Sequence, residues 1–532
     1  MKELFWRVEL TDGTVFTGRE EVRGGELRIV CDLPEGHIRS VTAEMLLPLT
    51  GADRVFINGF QSWTNCPEYT ETDTIRGLSH LPKAGVKYFG LDRYGDNYFV
   101  DYPQKKGVLH GESWAYARRG EEFRLVGSLD ETMGYTLIRY DFPGGRLRLE
   151  RDCAGLRCGG PFHVFDLFFA RGGEDQVFDA WFAAMGVRPR TREKIAGYSS
   201  WYNRYQNIDE ECIRSDLEAC SGMLQRGDLF QIDDGWEPKV GDWLVPDAVK
   251  FPHGLKPLVE DIHSRGLQAG LWLAPFGCQK GSEILKEHPD WMVKGPDGKP
   301  WYCGINWGGL YSLDIDVPEV RDYIRRVFRL VLDEWGFDLV KLDFLYGAAP
   351  FGTETESRAG RMIRALDFLR EVCGDKLILG CGVPMMPAFG RVDYCRIGCD
   401  VGLDWDGSWL MQQTHRERVS TRQSLENTVF RRQLNGRAFG NDPDVFFLRT
   451  GNLKLTPEQK RTLCEVNALL GDVWLTSDDM GEYGDKQRAR YRELRRLREA
   501  EKIRVRTDED VEISCVVQGM DRTVTAKLRK KR

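Results

Sequence analysis

From about residue 197 onward, short apolar runs alternate with amphipathic stretches of helical period, and this alternation constrains the chain more than any other feature. Strand-like segments lie at GYSSWYNRY (197–205), DLFQIDDGW (228–236), QAGLWLAPF (268–276) and DLVKLDFLYG (338–347). They continue at KLILGCGVP (376–384), DYCRIGCDV (393–401), RAFGNDPDVF (437–446) and DVWLTSDD (472–479). Helical patterns fall between most of them, over about 209–226 and 255–266, and in VPEVRDYIRRVFRLVLDEWG, ESRAGRMIRALDFLREVCG and TPEQKRTLCEVNALLG. Strict alternation of β and α units makes a parallel sheet, and eight units closing on themselves make a (β/α)8 TIM barrel. A doubly wound open sheet is disfavoured, since no GxGxxG follows any of these strands.

The flanks read differently. Up to about Arg171 the chain shows short alternating runs broken by Gly, Asp and Pro: LFWRVEL, ELRIVCDL, DRVFINGF, NYFVDYP, FRLVGSL and GRLRLERD. That spacing predicts a β-sandwich. The segment ARGGEDQVFDAWFAAMG (170–186) then switches to helical period, with acidic residues after a Gly-Gly start. Beyond about Lys502, DVEISCVVQG and TVTAKLR predict a small β element. The expected architecture is therefore a multidomain α/β chain: a sandwich over 1–175, the barrel over 176–500 and a C-terminal β element over 501–532.

Composition excludes several function classes. A net charge of −7 over 532 residues suggests neither a nucleic-acid nor a membrane surface, and the terminal LRKKR reads as a solvated chain end. The start, MKELFWRVELTDG, has no apolar h-region of a signal peptide, and no run of about 18 apolar residues could span a bilayer. The 14 cysteines contain no CxxC pair, so free thiols in a cytoplasmic protein are favoured over disulfides at Cys153 and Cys158 or at Cys395 and Cys399. None of the 8 histidines shows HxH or HExxH spacing, so no metal site is expected.

The predicted strands end in polar residues, where a barrel keeps its chemistry. These are Asp233 and Asp234, Lys341 and Asp343, Arg396 and Asp400, Asp442 and Asp444, and Asp478 and Asp479. Helix capping accounts well for the TSDD pair before a new helix, but poorly for Asp343 inside an apolar run. Lys341 and Asp343 are two apart, so both point to one face of a strand. Two carboxylates at separate strand ends suit glycoside hydrolysis, one attacking the anomeric carbon and one protonating the leaving oxygen. The chain also carries 15 Trp and 18 Tyr, and Trp201, Tyr202, Trp236, Trp243, Trp272, Trp405 and Trp409 lie near the same strand ends. Aromatic faces of this kind suit a sugar ring and also suit plain packing.

Taken together, FQIDDGWE (230–237), GDWLV (241–245), LWLAPF (271–276), EHPDWMVK (287–294), VKLDFLYGAA (340–349), LGCGVPMMPAFGRVD (379–393), RIGCD (396–400) and NDPD (441–444) resemble the bacterial α-galactosidases of glycoside hydrolase family 36, in clan D. NGFQSW (58–63) is similar to the family's sandwich-domain loop, and the resemblance covers nearly the whole chain. It implies Asp343 as nucleophile and Asp400 as acid/base. Asp233 and Asp234 would bind the O4 and O6 hydroxyls, and Lys341 and Arg396 would contact hydroxyls or orient the nucleophile. Cys381 would lie near the C2 hydroxyl, Trp272 and Trp243 would line the pocket, and Trp63 would cap it from the sandwich. Retention of configuration follows if the two carboxyl groups lie about 5–5.5 Å apart, and no cofactor is needed; the partner is an α-galactoside or related sugar, and a homo-oligomer stays open. Lys341 beside Asp343 is expected to lower the carboxylate's pKa.

The sequence departs from the family pattern at Cys399, where a Pro is common, and in VGLDWDGSW, a loop that should border the leaving-group site and whose Asp404 and Asp406 read as solvated loop acids in preference to contacts for a basic acceptor. Within the same clan an α-N-acetylgalactosaminidase, an α-galactosaminidase or a galactosyl transferase remains an alternative. A more distant one is an aldolase forming a Schiff base on Lys341.

Overall fold

The computed structural model describes residues 2–528 except 80, 94, 96–102, 410, 414, 415 and 509. The expected NYFVDYP strand and most of the basic C-terminal tail lie outside the described residues.

The N-terminal part is a two-layer antiparallel sandwich. One 22-residue strand, Gly25–Leu46, runs through both layers: its first half pairs with Arg157–Gly172 and its second half with Arg146–Arg151 and Lys2–Leu10. Alternate residues of each layer point inward, so Leu4, Val8, Val41 and Ile138 of one meet Val55, Ile57, Ala117 and Leu167 of the other in a single apolar core. A helix, Glu174–Met185, follows with Asp and Glu in its first turn and Gly186 in the left-handed conformation at its end.

The barrel strands, labelled here β1–β8, are Ile195–Ser199, Leu229–Ile232, Gln268–Leu273, Leu339–Leu342, Leu377–Gly380, Tyr394–Arg396, Gly440–Asp442 and Val473–Thr476. Neighbours pair in parallel in chain order from β1 to β7, and β8 pairs with β1. The seam between β7 and β8 is looser. It is closed by a parallel bridge between Phe446 and Thr476 and by the Asp472 N–H donating to the Asn441 carbonyl at 2.9 Å. Seven of the eight strands fall inside the segments read from the sequence, and β1 begins two residues before its segment, at Ile195. The helices between them place apolar faces on the barrel, as Val320, Tyr323, Ile324, Val327 and Phe328 do in Pro318–Arg329. The last helix, Asp485–Leu497, leads into a three-stranded antiparallel sheet, Glu501–Arg506, Val511–Val517 and Met520–Ala526. All 14 cysteines are free. Among the described residues no helix is long and apolar enough to cross a membrane.

Candidate active site

A cavity of about 410 Å³ opens at the C-terminal end of the barrel strands. Asp233, Asp234, Trp272, Lys341, Asp343 and Asp400 all line it, together with Trp63 from the sandwich. Parallel strands bring these residues together because each leaves the sheet at the same end.

Asp343 follows β4 directly and is buried. Its Oδ2 accepts from the Trp272 indole N–H at 3.2 Å and its Oδ1 from the Phe344 N–H at 2.8 Å. Phe344 has φ 53°, a left-handed conformation that a bulky side chain resists by roughly 1–2 kcal/mol. The turn aims that N–H back at the carboxylate, so the backbone strain sits where the site needs a donor. Burial raises the Asp343 pKa, opposed by the Lys341 charge and by hydrogen bonds from Cys381 and Trp272.

Lys341 does not pair with Asp343 as the sequence spacing suggested. Its ammonium lies 2.9 Å from Asp233 Oδ2, which also accepts from Gln231 Nε2 at 2.7 Å. The expectation that Lys341 holds Asp343 below the usual aspartate range is thus corrected: the lysine's charge is spent mainly on Asp233, and burial dominates at Asp343.

Asp400 lies across the same cavity, with a side chain 38% exposed, far more open than Asp343. The buried Arg396 reaches it at 2.9 Å and binds Asp444 at 3.0 Å. Asp444 also accepts from the Tyr202 hydroxyl and, at 2.8 Å, from the Val401 N–H. Arg396 therefore works from beneath the cavity, through carboxylates, and does not line it. On the opposite wall Asp234 Oδ2 accepts from Gln206 Nε2 at 2.8 Å and Trp307 Nε1 at 3.0 Å.

Trp63 arrives from the sandwich loop of the same chain. Ser62 N–H donates to the Val383 carbonyl at 2.9 Å, and the Trp63 indole N–H reaches Cys381 Sγ at 3.4 Å and packs edge-on against Phe344. Gly382 makes room for it: a Cβ there would meet the indole at 2.9 Å. The loop is pinned by the buried Arg431, which donates to Asn58 Oδ1 at 2.7 Å, the Ser62 carbonyl at 2.7 Å and the Gln61 carbonyl at 3.1 Å.

Two sequence expectations are corrected. Trp243 is fully buried and lies behind Trp272, ring centroids 5.9 Å apart, so it backs the wall and does not line the cavity. Asp406 is not a solvated loop acid and does not line the cavity: it is buried between Arg418, Arg422 and Ser420, while Asp404 accepts from the Gly407 N–H at 2.6 Å. The reading of the sequence missed Gln206, Trp307, Glu237 and Arg431. Trp307 stands on a hairpin inserted after β3, flanked by Gly in GINWGG, which was its one local signal. Among the described residues no group of three or more His, Cys, Asp or Glu side chains is arranged to hold a metal ion.

Residues 191–361 match the Melibiase family model, a stretch that includes Asp343 and stops before β5. An α-galactosidase of Escherichia coli is 29% identical over 195 residues, 34% of this chain and 26% of that protein. The structure of TtGalA, an α-galactosidase from Thermus thermophilus in complex with p-nitrophenyl α-D-galactopyranoside, superposes over 97% of this chain and 98% of that one, at 28% identity and a TM-score of 0.74. The chain is a relative of the family 36 α-galactosidases. Family member AgaA from Geobacillus stearothermophilus shares the fold at 15% identity, with a TM-score of 0.60 over 96% of this chain and 79% of its own. The sequence match spans only about a quarter of the length of the Escherichia coli relative.

Proposed function

We propose that the protein is a retaining exo-glycosidase that removes terminal α-galactosyl residues from galacto-oligosaccharides or glycoconjugates, and that it works in the cytoplasm. The observation that carries this reading is the pairing, in one cavity, of a buried Asp343 with a half-open Asp400, above the charged group Asp233, Asp234 and Lys341.

In this reading Asp343 attacks the anomeric carbon, and the Trp272 and Phe344 N–H groups hold its two oxygens for in-line approach. A poorly solvated carboxylate gains most when positive charge develops at that carbon, which couples its burial to the transition state. Asp400, open to solvent and positioned by Arg396, protonates the leaving oxygen and then takes a proton from the water that releases the sugar. Asp233, Asp234 and Lys341 bind ring hydroxyls on the inner wall. Contact between Trp63 and Cys381 closes the wall beside Asp343, which favours a plain C2 hydroxyl over an acetamido group.

Hydrolysis of 4-nitrophenyl α-galactoside, compared with its N-acetylgalactosaminide, tests the substrate; cleavage of the second alone overturns the reading. Proton NMR of the first-formed sugar tests the mechanism: α-galactose is expected, and β-galactose as first product would exclude retention.

A further inference from the structure

Glu237 is a buried acid that the mechanism above does not use. It is 6% exposed and Asp234 is 3% exposed. Gly235, at φ 117°, makes the tight turn between them; a Cβ there would meet the Gln206 backbone at 2.8 Å. The turn folds Glu237 back onto Asp234, which brings the two carboxyl groups within hydrogen-bonding range of each other. Asp234 takes two N–H donors on Oδ2, from Gln206 and Trp307, while its buried Oδ1 receives none. Glu237 Oε2 accepts from the Gly235 N–H at 3.3 Å.

A hydrogen bond between two carboxyl groups needs a proton, and two buried anions in contact would repel. Asp234 has the stronger set of donors, so the negative charge rests there and the proton on Glu237. We propose that Glu237 is a neutral carboxylic acid whose O–H donates to Asp234 Oδ1, holding Asp234 as an anion aimed at the sugar site. Glu237 is then a positioning residue. Burial raises both carboxyls, with Glu237 held well above the usual range by desolvation and by the Asp234 charge. The cations bonded to this loop are engaged elsewhere, Lys250 on the Gln206 and Gly235 carbonyls and Lys341 on Asp233.

The effect on catalysis rests on the galactosidase reading, but the placement of the proton does not. Infrared difference spectra between wild type and Glu237→Gln at pH 7 should contain a protonated-carboxyl C=O band that shifts on carbon-13 labelling of glutamate. Gln can donate to Asp234 and accept from Gly235, so KM for 4-nitrophenyl α-galactoside should stay within about threefold, whereas Glu237→Ala should raise KM about tenfold with less change in kcat. No such band, or Glu237→Gln as impaired as Glu237→Ala, overturns the proposal. If Glu237→Ala does not fold, the band and the Gln variant still decide. If wild type leaves galactosides intact, the galactosidase reading fails while the band still reports on Glu237.

Discussion

Lys341 Nζ lies 2.9 Å from Asp233 Oδ2 and ties the end of β4 to the end of β2 across β3. Both residues are buried, so the pair is a structural tie as well as part of the proposed sugar site. Breaking one side leaves an uncompensated buried charge. Lys341→Met should therefore lower unfolding stability by about 3–5 kcal/mol, read from urea denaturation at pH 7. Unchanged stability would mean that the ion pair does not persist in solution.

The same lysine charge lowers the Asp343 pKa, though burial outweighs it. A nucleophile must be ionised, so kcat/KM should fall as pH drops through a value above the ordinary aspartate pKa of about 3.9. Removing Lys341 takes away a positive charge that favours the anion, so the acid limb should move to higher pH in Lys341→Met. A pH profile on 4-nitrophenyl α-galactoside measures both; a limb that moves to lower pH contradicts the assignment.

Asp343→Asn keeps the shape of the site and removes the nucleophile. Turnover should fall by at least about 10³-fold with the fold intact. Asp400→Ala should be less severe on substrates with good leaving groups, since an acid contributes about 10²–10⁴-fold and only where protonation is needed. Comparing 4-nitrophenyl α-galactoside with melibiose reads the difference, and equal losses on both would remove Asp400 from the acid role.

Trp63 and Arg431 act on one wall. Trp63→Ala should raise KM about tenfold or more. Arg431→Lys cannot reproduce the forked donation to Asn58 and the loop carbonyls, so it should raise KM in the same direction. Because both changes remove one wall, the double variant should be less impaired than the product of the singles; multiplicative effects would show that Arg431 does not hold the loop for Trp63.

In the sandwich, Glu131 is raised to about 7, mainly by burial and against the hydrogen bonds from the Thr136 N–H and Ser113 hydroxyl. The folded state then binds this proton more tightly than the unfolded state. The residue's destabilising effect is absent below about pH 4.5, grows as pH rises towards 7 and is complete above it, at roughly 3 kcal/mol. Glu131→Gln imitates the protonated form and should flatten the fall of Tm between pH 4.5 and 8; an unchanged slope would place the titration elsewhere.

The barrel was legible because β and α periods differ and eight repeats leave few topologies. Charge at a strand end needs a reason, which put Asp343 and Asp400 among several candidates; the resemblance to family 36 singled out these two. Pair identities were not legible: spacing places Lys341 and Asp343 on one face, but only the closed barrel brings Asp233 nearer to the lysine than Asp343. Trp243 was misplaced for a similar reason, since a tryptophan behind a cavity wall and one on it carry the same sequence signal. Arg431 was invisible because its partners lie some 370 positions away in the chain, at Asn58 and Ser62.

That long-range anchor has an evolutionary corollary. The outline of the cavity is set jointly by a barrel and by a loop belonging to another domain, so neither can be exchanged for a homologous piece without retuning the other. A recombinant that joins this barrel to a foreign sandwich inherits every polar group of the pocket and loses one of its sides. Selection on substrate choice thus reaches residues in the sandwich that never touch a sugar.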